Sequence, residues 1–194
     1  MTEIYPGPLQ DEPLAIELHN TLYASGGKLV DGLATEAGAR AWLNSLADRL
    51  PSQGHGRPPS REELLQLRDP VREALHAAME GDAPSRSSLE IINRISANAP
   101  RSPLARWRPA TPPIADVDLH GASRAEAVLA AFAADTIDLL TGPRREALRA
   151  CGAGGCMLLF LKNHPRREWC SAACGNRARQ ARHYARMRGR HTKP

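Results

Sequence analysis

Residues 151–177 read CGAGGCMLLFLKNHPRREWCSAACGNR and hold all four cysteines of the chain, spaced as Cys151-x4-Cys156-x13-Cys170-x3-Cys174. Two pairs joined by a short connector is the sequence form of a four-cysteine metal site, in which each pair makes a chelating turn and the tetrahedron closes across them. Gly152, Gly154 and Gly155 let the first turn bend round an ion with its amides facing sulfur. Two disulfides would suit an exported chain, and an iron-sulfur cluster uses the same ligands at similar spacing. Zinc is the reading the spacing favours. Four thiolates leave no open coordination position, so one zinc ion here is structural rather than catalytic.

The cluster belongs to a chain of 194 residues, enough for one medium domain or a domain with a small appended module. Hydrophobic residues at 42% and charged residues at 24% are values of a soluble globular protein, which argues against disorder along the whole length. The net charge of +5 hides an asymmetry. Residues 1–149 hold 16 basic and 20 acidic side chains, whereas residues 150–194 hold 10 basic ones and a single acid, Glu168. An acidic body with a basic end points to an anionic partner, nucleic acid first and acidic lipid second. No run of about 18 apolar residues exists, so no membrane span is expected. The first residues lack the basic and apolar regions of a signal peptide, which makes a cytoplasmic location the expectation.

Upstream of the cysteines the pattern is helical. Leu14, Leu18 and Leu22 recur at helical spacing and stop at Ser25-Gly26-Gly27. Thr35 caps a helix with Ala39, Trp42, Leu43, Leu46 and Leu50 inward. Ser60-Arg61-Glu62-Glu63 is a capping box opening a helix through Leu64, Leu67, Val71, Leu75 and Met79, which Pro70 should kink or split. A second box, Ser87-Ser88-Leu89-Glu90, leads into Ile92 and Ile95. Leu104 to Arg108 and Ile114 to Leu119 flank a proline-rich breaker and read as a β-hairpin, after which Ser123-Arg124-Ala125-Glu126 caps a long Ala-rich helix to about Leu140. The fold class is therefore mostly α: a helical domain over 1–142 with a hairpin, and a small α+β zinc finger, treble-clef-like or ribbon-like, over 143–194. Their cores are expected to be separate.

Signatures of several enzyme classes are missing: the His-x-Glu and Pro-Cys-x-x-Cys of a deaminase, His-Glu-x-x-His, a Walker loop and Gly-x-Ser-x-Gly. A binding protein rather than an enzyme is expected.

Trp169-Cys170-Ser171 and Cys174-Gly175-Asn176-Arg177, preceded by a cysteine pair, an apolar stretch at Met157 to Leu161 and the basic Arg166-Arg167, resemble the CGNR zinc-finger family over about residues 148–188. Family members commonly carry Asp after the Phe-Leu of the strand, where this chain has Lys162. Leu18-His19-Asn20-Thr21-Leu22, Asp31-Gly32-Leu33 and Trp42-Leu43 resemble the ABATE module found before this finger. The resemblance implies a bacterial protein and a stress-linked transcription regulator. His19, Asn20 and Asp31 match the upstream motifs and are candidates for lining an effector pocket, against the commoner role of helix cap or buried hydrogen bond.

After Cys174 the chain can run helically, which places Arg179, Arg182, Arg186 and Arg190 on one stripe, with His183 beside them and Cys174, Ala178, Ala181 and Ala185 opposite. The alanine face is expected to pack inward and the arginines to meet phosphate. Arg177 falls about 160° from Arg179 and is expected to act through finger stability. Trp169 is expected to pack over the finger, with base stacking as the alternative. His55, His76, His120, His164 and His191 are single in the sequence, with surface positions the default. The leading function is a DNA-binding regulator, RNA being the alternative nucleic acid, whose N-terminal domain senses a small-molecule effector or forms a homodimer; such a protein would associate with the nucleoid. A zinc-thiolate redox switch and a protein-interaction adaptor are the other readings.

Overall fold

A helix stop marks the largest departure of this chain from its periodicity. The computed structural model describes residues 7–8 and 11–191, with side chains to residue 187. The first helix, α1 (Leu14–His19), ends three residues short of Leu22. The Thr21 hydroxyl donates to the Leu18 carbonyl at 2.7 Å, and the Asn20 side chain is drawn away to a distant strand. Leu22 then opens a hairpin instead of a further turn: β1 (Leu22–Ser25) pairs antiparallel with β2 (Lys28–Asp31), Leu22 opposite Asp31 and Ser25 opposite Lys28. Gly26 and Gly27 have φ of 57° and 78°, the left-handed pair that a primed two-residue turn demands.

The caps perform largely as their residue types dictate. The Thr35 hydroxyl accepts from the Gly38 amide and starts α2 (Glu36–Ser45). Reciprocal capping boxes, Ser60 with Glu63 and Ser123 with Glu126, open α3 (Arg61–Glu80) and α5 (Arg124–Thr141). The cap of α4 (Arg86–Ala97) is Ser85, two residues before the expected Ser87. Pro70, expected to kink or split α3, sits on the buried side of an unbroken helix. The burial of Leu67, Val71, Ala74 and Leu75 offsets the roughly 3 kcal/mol that an interior proline costs. The expected hairpin is present as β3 (Ser102–Arg106) and β4 (Ile114–Asp118), Leu104 opposite Asp116.

The architecture is mostly α, with α1, α3 and α4 packed against α5. Alanines at 125, 127, 130, 131 and 133 let these helices come close to α5, and Trp42 stacks on Phe132 at 5.2 Å. After α5 come β5 (Leu148–Ala150) and β6 (Leu159–Leu161), an antiparallel pair with Leu148 opposite Leu161, and then α6 (Ala172–His191). The expected separation of cores does not hold. Leu148 and Leu159 are buried in the main helical core, while Tyr23 of β1 is buried against Phe160 and the cysteines. Alternation along β6 explains this: Leu159 and Leu161 face the helices and Phe160 faces the finger.

Candidate metal centre and basic helix

The first cysteine pair is set by the β5–β6 hairpin. The Cys151 amide donates to the Leu158 carbonyl at 2.9 Å and the Cys156 amide to the Ala153 carbonyl at 2.9 Å, so the loop folds back as a knuckle. Gly155, at φ 73°, makes the reversal that a residue with a Cβ resists. The second pair is set by the start of α6. The Ser171 hydroxyl caps the helix by accepting from the Cys174 amide at 3.3 Å, which puts Cys170 just outside the first turn and Cys174 within it. A hairpin knuckle followed by a ligand-bearing helix is the treble-clef form, not the ribbon.

The four sulfurs lie within 4.8 Å of one another. Cys156 Sγ is 3.8 Å from Cys170 Sγ, and Cys170 Sγ is 3.5 Å from Cys174 Sγ. Thiolates at about 2.3 Å from a tetrahedral zinc ion stand roughly 3.8 Å apart, so the arrangement fits that ion. All four cysteines are free, at separations far beyond the roughly 2 Å of a disulfide. The Cys170 amide points at Cys151 Sγ from 3.5 Å and Arg177 Nη2 at Cys174 Sγ from 3.5 Å, donors suited to thiolate charge. Burial pushes the Cys151 thiol up, whereas the hydrogen bond from Cys170 pulls Cys156 down to about 5. Cys170, the donor in that bond and itself buried, is pushed up. A divalent metal bound by all four sulfurs as thiolates would neutralise the charge gathered in this cluster.

Two clamps hold the finger on the helical body. The Asn20 side chain brackets Leu159 in β6, its Oδ1 accepting from the Leu159 amide at 2.9 Å and its Nδ2 donating to the Leu159 carbonyl at 3.0 Å. Buried Glu12 accepts from Arg167 Nη2 at 2.6 Å and, with its other oxygen, from the Leu161 amide at 2.8 Å. The same guanidinium donates to the carbonyls of Cys170 and Leu161 and lies 4.7 Å above the Phe160 ring. Glu12 and Arg167 stand 155 positions apart, and no sequence signal joins them.

His19, Asn20 and Asp31, the candidates for an effector pocket, are engaged with internal partners and line none of the described cavities. Asp31 holds Arg68 through both oxygens, at 2.6 and 3.0 Å, and that buried guanidinium keeps its carboxyl below the ordinary range against the opposing effect of burial. His19 is wholly buried, with Nδ1 3.1 Å from Asn20 Oδ1 and Nε2 3.1 Å from His76 Nε2. Because Asn20 Oδ1 can only accept, His19 carries its proton on Nδ1 and accepts from His76. His76 is exposed, as expected of it, and is paired through this bond with the buried His19.

Helix α6 leaves the body soon after the metal centre. Cys174 and Gly175 are buried and Ala178 is partly so, but every residue from 179 to 187 is exposed, including Ala181 and Ala185, expected to face inward. Arg179 and Arg182 lie 5.6 and 5.7 Å from the centre of the Trp169 ring. A Cβ on Gly175 would stand 3.0 Å from Trp169 Cε3, so the glycine allows the indole to lie against the helix. Arg186 stands further out; Arg190 lies on the helix, with its side chain outside the described residues.

The ABATE family model, described as a putative stress-induced transcription regulator, matches residues 12–143. The chain belongs to the ABATE family. The CGNR zinc finger model matches residues 147–187 and contains all four converging cysteines, which assigns the metal centre as a zinc finger. No curated protein matches the sequence. In this ABATE protein both clamps run between the two matched segments, from Glu12 and Asn20 on one side to Arg167 and Leu159 on the other. Among the described residues no helix is long and apolar enough to cross a membrane.

Proposed function

We propose that this ABATE protein is a zinc-dependent DNA-binding regulator in which the helical body senses or dimerises and α6 contacts the duplex. The observation that carries this reading is a 20-residue basic helix, held by the metal centre at one end, whose residues 179–187 are exposed. It contains no acidic residue, and among the described residues none of its arginines forms an ion pair. At about 30 Å long, such a helix is wide enough to fill the major groove and not too wide to enter it. The Trp169 face steers Arg179 and Arg182 by cation–π contact, which narrows their rotamers while leaving N–H edges for phosphate. Binding, not catalysis, is the activity proposed, and the nucleoid is its place.

Two single variants separate contact from support. Arg182→Ala is expected to lower the slope of log affinity against log salt for duplex DNA by about 0.9 and to leave zinc retention unchanged. Arg177→Ala, which removes the donor 3.5 Å from Cys174 Sγ, is expected to speed zinc loss to a chelator and to leave the slope alone. The reverse pattern would place the DNA face on the other side of the helix. Preference for single-stranded RNA in the same titration would replace DNA as the partner.

A further inference from the structure

Between α2, the segment that follows it and the start of α5 lies a cavity of about 530 Å³, a volume that takes a small organic molecule. One face of α2 lines it at helical spacing with Glu36, Arg40, Leu43 and Asn44. Leu43 and Val128 form a buried apolar floor, and Pro51, Pro58 and Pro59 stiffen the opposite wall. That wall is fastened in place. The Arg124 amide donates to the His55 carbonyl at 2.8 Å, and a Cβ on Gly54, at φ +103°, would stand 2.7 Å from the Arg124 nitrogen. The loop therefore lies directly on the start of α5, and the cavity is formed without a ligand.

The charges in the wall are not equivalent. Arg57 is already paired with both oxygens of Glu63, at 2.7 and 3.1 Å, and Glu36 accepts from the Arg61 amide at 3.0 Å. Arg40 and Arg124 are exposed at the cavity, and among the described residues their side chains have neither an ion pair nor a hydrogen bond. Two free guanidiniums above an apolar floor match a carboxylate on an apolar body, since a guanidinium offers paired N–H groups at carboxylate spacing. Glu36 in the same wall opposes a dianion such as a phosphate monoester.

We infer that this cavity binds a small monocarboxylic acid, aromatic or aliphatic, with its carboxylate on Arg40 and Arg124 and its body against Leu43 and Val128. The site gives the proposed sensor role of the body a ligand class. Binding is read without DNA, so failure here and failure of the DNA reading are distinguishable.

The test titrates the full zinc-loaded chain calorimetrically with 2-naphthoate and octanoate, and with the neutral amide of each. At least one acid is expected to bind saturably and about tenfold or more tighter than its amide, the margin of one charge-assisted contact. Arg40→Ala/Arg124→Ala is expected to bring that acid down to the level of its amide without shifting the unfolding midpoint of the free protein. Arg40→Lys/Arg124→Lys, which keeps charge but not the fork, is expected to retain part of the preference. No saturable binding of either acid, equal binding of acid and amide, or an acid preference that survives the double alanine change would each overturn the inference.

Discussion

His19 shows how a single side chain can report on the whole interface. It sits between Asn20, which grips the finger, and His76 on α3, with Arg72 and Arg68 close enough to oppose a further positive charge. Burial is the largest cause, and with these neighbours it lowers the His19 pKa to about 3 from an ordinary value near 6.5. Between those values the unfolded chain takes up a proton that the folded chain excludes, so stability rises with pH across that window and falls as pH drops below about 6.5. Denaturant unfolding of the zinc-loaded protein is expected to show a loss of about 1.4 kcal/mol between pH 7.5 and 5.5 from this group. His19→Gln is expected to be less stable at pH 7.5 and to lose about 1.4 kcal/mol less over the same interval. Equal pH dependence in the two proteins would show that His19 is charged when folded.

At the scale of elements, the junction between α1 and β6 is where sequence and structure diverge most. The capping boxes at Ser60 and Ser123, the hairpin after residue 100 and the cysteine knuckle were all legible, because each depends on residues within a few positions of one another. The hairpin after α1 was not. Three leucines at spacing four satisfy a helix, and a Gly-Gly pair serves as a helix stop as readily as a primed turn. What decided between them is Asn20, whose amide group is claimed by Leu159, 139 positions away. Asn20→Ala is expected to leave both backbone groups of Leu159 buried without partners, lowering stability by about 2–4 kcal/mol and hastening zinc loss to a chelator. A change under about 0.5 kcal/mol would mean that the finger docks through Leu148, Leu159 and Tyr23 alone.

Across the whole molecule, the acidic body and the basic end stand as the charge count suggested, and the missed features are contacts between them. Glu12–Arg167, Asn20–Leu159 and the shared apolar core were invisible because pairing over such distances depends on topology, which local pattern does not contain. The arginine stripe was legible in outline, but its stacking on Trp169 and the free outer turns of α6 required the fold. The proposed role joins these features: zinc fixes the helix, the clamps fix the finger, and the positive charge faces outward. Its most direct test is the affinity of zinc-loaded protein for duplex DNA at a series of salt concentrations. Four phosphate contacts from the arginine stripe predict a log–log slope of about −3.6, with binding lost when chelation removes the metal. A flat response to salt, or equal affinity with and without zinc, would contradict a DNA-binding helix held in place by the finger.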